Sequence, residues 1–106
     1  MSANRVFDLA LAVTLNQIPP EVALDHVVWM LQATPESDAE RINAIGCGPL
    51  ETLFHKGYED RLWQSIERLA REDVRFRRAL ASAWAYQSPR YADRRALLEQ
   101  LGELPH

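Results

Sequence analysis

Residues 58–72 read YEDRLWQSIERLARE, and this stretch decides the fold class. Tyr58, Leu62, Ile66 and Leu69 recur at helical spacing and form one apolar stripe, with Trp63 and Ala70 on its shoulder. Glu67 and Arg71 stand four apart on the outer face, in the order that favours an ion pair along a helix. The next stretch repeats the pattern. Asp73 can cap a helix running to about Tyr86, with Phe76, Leu80, Ala83 and Trp84 turned inward and Arg75, Arg78 and Ser82 outward. Ser88-Pro89 opens a last helix whose apolar residues are Tyr91, Leu97, Leu98 and Leu101, and Gly102 ends it ahead of a loose tail to His106.

Upstream of Tyr58 the chain reads as further short helices parted by Pro, Gly and capping residues. The first spans about Ala3 to Asn16, with Val6, Phe7, Ala10, Leu11, Val13 and Thr14 as its apolar face and Arg5 on the other side. Pro20 suits the first position of a second helix, and Pro35 stops it. On that helix Leu24, Val27, Val28 and Leu31 make one stripe; Val22, His26 and Trp29, beside Asp25, make another on the opposite side. Ser37 and Glu40 have capping-box spacing ahead of a short helix carrying Ile42 and Ile45, which Gly46 closes. Gly48-Pro49 starts another two-turn helix, with Leu50, Leu53 and Phe54 on one face and Gly57 at its end. No segment alternates with period two, so no strand is expected. The expected fold is all-α: one domain, a compact array of about six or seven short, mostly antiparallel helices.

Composition narrows the function. Residues 1–57 hold three basic side chains against seven acidic ones; residues 58–106 hold nine Arg against eight acids. A nucleic-acid binder normally carries a net basic footprint, and this chain does not. Cys47 is the only cysteine, which suits a reducing compartment. No apolar run approaches the roughly 20 residues a membrane span needs, and the apolar N-terminal run is interrupted by Asp8. These features point to the cytoplasm and away from a membrane partner.

The motifs with chemical potential are weak. Glu51 and His55 share a helix face, but a zinc site needs a third protein ligand, and His26, His106 and Cys47 lack the spacing. Cys47 precedes a helix start with no base near it in sequence, and Gly46-x-Gly48 lacks the strand, Lys and Ser/Thr of a phosphate loop. No metal, cofactor or catalytic residue is expected. The Arg-rich second half (Arg68, Arg71, Arg75, Arg77, Arg78, Arg90, Arg94 and Arg95) reads either as a salt-bridged surface or as a binding patch, with Arg75 and Arg78 projecting together. The second helix either is buried on all sides or exposes Trp29, a residue type enriched in binding hot spots.

Gly46-Cys47-Gly48-Pro49-Leu50-Glu51-Thr52-Leu53-Phe54 and Gly57, followed by Asp73-Val74-Arg75-Phe76-Arg77-Arg78-Ala79-Leu80 and Trp84, resemble a family of small bacterial all-helical domains of unknown function. Its pattern is G-x-G-P-L-E-x-L-L, a Gly, then D-P-x-F-R-x-x-L-x-x-x-W, and the resemblance covers about residues 20–85. Val74 stands where the family often has Pro. Similar proteins occur beside toxin genes, and some act as immunity proteins. The resemblance thus implies a non-enzymatic protein-interaction domain, with inhibition of a bacterial toxin domain as its role. The partner-binding residues expected are Asp25, His26 and Trp29 on one face and Arg75 and Arg78 on another. The alternative is a nucleic-acid-associated regulator acting through the Arg-rich half.

Overall fold

Among the described residues, seven α-helical segments follow one another: α1 (Ala3–Thr14), α2 (Pro20–Gln32), α3 (Ala39–Ile45), α4 (Glu51–His55), α5 (Glu59–Glu72), α6 (Val74–Ala81) and α7 (Tyr91–Gln100). The structure is a computed structural model that describes residues 3–104, with side chains from residue 6 onward. His106 and the side chain of Arg5 lie outside the described residues. No strand occurs among those residues. The described structure measures 35 × 31 × 19 Å, and its buried apolar residues form one core.

The expected break at Gly46 does not occur. Gly46–Leu50 is a π-helical turn that joins α3 to α4 in one continuous rod, and Gly46 keeps right-handed helical angles (φ −66°, ψ −49°). Two local facts account for this. Pro49 has no N–H to give a regular α-helical ladder, and the wider turn accommodates it. Gly46 meets the backbone of α6 so closely that a Cβ there would lie 2.1 Å from the Ala79 carbonyl oxygen. The turn packs against α1, α2 and α6 as well as its own neighbours, which makes it the hub of the array.

The core matches the sequence pattern for most helices. Leu62, Trp63, Ile66 and Ala70 of α5 are buried, as are Phe76, Ala79 and Leu80 of α6 and Leu24, Val27 and Leu31 of α2. Ile42, Ile45, Leu50, Leu53 and Phe54 fill the centre. The Asp73 carboxylate accepts from the Arg75 N–H at 2.9 Å, the expected cap.

Three readings need correction. Helix α6 stops at Ala81, not near Tyr86; the chain leaves the helix, and Trp84 points outward with 62% of its surface exposed. The α3 cap is Asp38, whose carboxylate accepts from the Arg41 N–H, rather than Ser37. The buried side of α1 is Val6, Leu9 and Val13, which leaves Phe7, Leu11 and Leu15 exposed. Such rotation of a face is easy where a helix is apolar nearly all round, because packing rather than pattern then selects the inner side.

Candidate functional site

The five expected binding residues fall in two unlike settings. Asp25, His26 and Trp29 are all exposed on the outer side of α2, joined by Val22. Of the two alternatives for this helix, the exposed one holds: Trp29 is 52% accessible while Ala23, Val27 and Leu31 seal the opposite side. At the start of the same helix, Arg61 forks onto Glu21, with Nε–Oε2 2.6 Å and Nη2–Oε1 3.0 Å. The Glu21 backbone hydrogen bond first, and this fork second, hold its carboxyl below the ordinary carboxylate value.

Arg75 and Arg78 do project from one side of α6, but they are occupied. Arg75 Nη1 donates to the carbonyls of Gln32 (3.3 Å) and Thr34 (3.1 Å). Arg78 donates to the Glu36 carbonyl at 3.2 Å and faces its carboxylate at 3.7 Å. Arg77 reaches back to the carbonyls of Ala70 (2.9 Å) and Arg71 (3.2 Å). Arg75 and Arg77 therefore satisfy open carbonyls at the ends of α2 and α5, where the helix dipole also favours a cation, and Arg78 holds a carbonyl of the loop between α2 and α3.

The remaining Arg are mostly paired too. Arg90 bridges Asp60 (2.7 Å) and Asp93 (3.0 Å), and those hydrogen bonds raise its pKa. Arg95 bonds the Tyr91 hydroxyl and faces Glu99, which raises its pKa as well. Arg94, placed with the surface Arg by sequence, is 2% exposed. It donates to the fully buried Glu59 at 2.7 Å and to the Ala85 carbonyl at 2.8 Å, and it stacks over Phe54 and Tyr91. The Ser88 hydroxyl donates to the other Glu59 oxygen. This network ties α5, α7 and the segment between α6 and α7 together. Glu59 and Arg94 are 35 residues apart, and nothing in their local spacing marks them as a pair.

The network also supports an aromatic surface that the sequence reading missed. Trp84, Tyr86 and Tyr91 stand edge-to-face in a row, with centroids 5.7 and 5.4 Å apart. They border a cavity of about 110 Å³ that Leu80, Leu98 and Leu104 complete. A second apolar surface is α1, where Phe7 is 66% exposed and Leu11 follows one turn on, with Leu15 just past the end of the helix. The signal in the sequence was an excess of apolar residues: α1 carries more than one buried stripe can use.

The catalytic candidates gain no support as a site. His55 Nε2 lies 3.6 Å from a Glu51 oxygen, but the other Glu51 oxygen accepts the Trp84 backbone N–H, and His55 is largely exposed. Neither residue lines the cavity beside Trp84 or the cleft between α1 and α3. The Cys47 thiol is exposed and sits 3.9 Å from the Ala44 carbonyl. Among the described residues no three His, Cys, Asp or Glu side chains converge as a metal site would require, and no helix is long and apolar enough to cross a membrane. Comparison with known protein families, curated proteins and solved structures finds no match to this chain.

Proposed function

We propose that this chain is a non-enzymatic protein-interaction domain, and that its partner is a toxin domain which it inhibits. The observation that carries the first half is the outer side of α2. A Trp half open to solvent, flanked by exposed Asp25, His26 and Val22, combines a large apolar anchor with polar groups that can fix register. The toxin role draws only on the resemblance of residues 20–85 to proteins found beside toxin genes.

The rival reading, a nucleic-acid-associated regulator, would have to use Arg side chains that already brace the fold. Freeing Arg75 for a phosphate would strip carbonyls at the end of α2, and freeing Arg78 would release the Glu36 carbonyl in the loop that follows. Two experiments separate the readings. Retention on DNA or RNA columns at low salt would favour the rival, since phosphate contacts weaken steeply as salt rises. Co-expression with the product of an adjacent toxin gene tests the proposal: protection by the intact chain, lost on Trp29→Ala, is expected. Full protection by Trp29→Ala would remove the α2 face from the account.

A further inference from the structure

We propose that the cavity beside Trp84 is a binding site for a small single-ring aromatic carboxylate. It shares no residue with the outer side of α2 and stands apart from the interaction reading above. The cavity measures about 110 Å³ and is open on one side. A closed apolar cavity of about 150 Å³ accepts benzene, so this one seats a single ring and leaves its substituent at the rim. Leu80, Leu98 and Leu104 supply aliphatic contacts. Trp84, Tyr86 and Tyr91 supply both ring edges and ring faces, because neighbouring planes are turned by 82° and 69°. Trp84 and Tyr86 remain more than half exposed, so the rings are open to a planar group from solvent.

Polar groups select the substituent. Arg94 and Arg95 line the cavity, and among its described lining residues there is no Asp or Glu. Three carboxylates touch that lining from outside, each already on a donor: Glu51 accepts the Trp84 N–H, Glu59 holds Arg94, and Glu99 faces Arg95. Arg94 is committed to Glu59 and to the Ala85 carbonyl. Arg95 is held more lightly. Its pair with Glu99 is exposed and lies within one helix turn, a kind that contributes little. A guanidinium has five N–H groups, and the contacts with Glu99 and Tyr91 use two of them. The Tyr91 hydroxyl accepts from Arg95 Nη1 at 3.4 Å, which leaves its own proton to donate. Donors and a permanent positive charge therefore meet at the rim, and the two oxygens of a carboxylate match the guanidinium fork. An ammonium group, which aromatic rings also attract, would meet the two guanidiniums and be repelled.

The test titrates the full chain with benzoate, benzylamine and toluene, followed by amide and Trp indole shifts in two-dimensional NMR. Saturable, millimolar-range binding of benzoate is expected, with shifts centred on Trp84, Tyr86 and Tyr91. Benzylamine and toluene should each bind about tenfold more weakly. Arg95→Gln should weaken benzoate about tenfold, and Tyr91→Phe, which keeps the ring and removes the hydroxyl, several-fold. Arg95 is exposed and Tyr91 half-buried, and circular dichroism checks that both variants are folded. Absence of saturation at millimolar benzoate overturns the proposal. So does equal binding of benzylamine or toluene, full binding by folded Arg95→Gln, or shifts confined to other residues. N-acetyl-phenylalanine carries the same ring and acid as a protein chain end. Its binding more tightly than benzoate would assign the cavity to a partner's terminus and overturn the free-acid reading.

Discussion

Gly46 has no side chain because Ala79 leaves no space for one. The opposing atom is a backbone oxygen, so a methyl group at Gly46 must push two helices apart. Gly46→Ala should destabilise the fold by about 2–4 kcal/mol, read as a lower urea midpoint. The sequence reading assigned the residue a helix stop, since Gly near a Pro usually marks one. What it could not contain was the approach of α6, a contact made 33 residues downstream. Glu59 and Arg94 teach the same lesson. Arg94 read as one of a set of surface Arg, Glu59 carried no assignment in the sequence, and only the fold brings the two together away from water. Removing one partner strands the other, so Glu59→Gln or Arg94→Met should each cost about 3–5 kcal/mol. The double variant should cost clearly less than the sum, as a double-mutant cycle in urea would measure.

At the scale of elements, the buried stripe of α5 was legible, although its fully buried Glu59 was not. The helix has one narrow apolar stripe, and burial of Leu62 and Ile66 follows directly from it. Helix α1 was legible as a helix but not in orientation. Its apolar residues surround most of the axis, and the side that met the π turn was settled by packing. Helix α6 was read too long because Ala83 and Trp84 continue its spacing; the chain uses Ala83 in the core and turns Trp84 out. Its Arg side chains were rightly placed on the outer side, yet they serve as caps for other helices. Arg75→Ala should therefore lower stability by about 1–2 kcal/mol, because two carbonyls at the end of α2 lose their donor. A pure surface charge would leave the urea midpoint unchanged. The Glu21–Arg61 fork gives α2 a pH signature. Glu21 has a lowered folded-state pKa, so its contribution is present above the ordinary carboxylate value and fades as pH falls through the lower, folded one. Glu21→Gln should be less stable than the parent at neutral pH and equal to it in strong acid, as melting curves across that range would record.

At the scale of the whole molecule, intramolecular bonding occupies most Arg side chains while several large apolar groups stay outside. Most Arg side chains are turned to internal use, on carbonyl ends and carboxylates, and so add little free positive surface. Among the described residues, the large apolar groups left outside are Phe7 and Leu11 on α1, Leu15 just past its end, Val22 and Trp29 on α2, and Trp84 and Tyr86 after α6. These groups are the apolar surface open to the protein partner proposed above. The composition hinted at this outcome, since a balanced Arg-rich half is what internal bracing needs. The most direct measurement is affinity capture from the source cells with the intact chain and with Trp29→Ala, both folded, at low and at raised salt, with mass spectrometry and a nucleic-acid stain on the eluates. The account predicts a captured protein that persists at raised salt and disappears with Trp29→Ala. Eluates that hold nucleic acid released by salt, or a protein set that Trp29→Ala leaves unchanged, would contradict it.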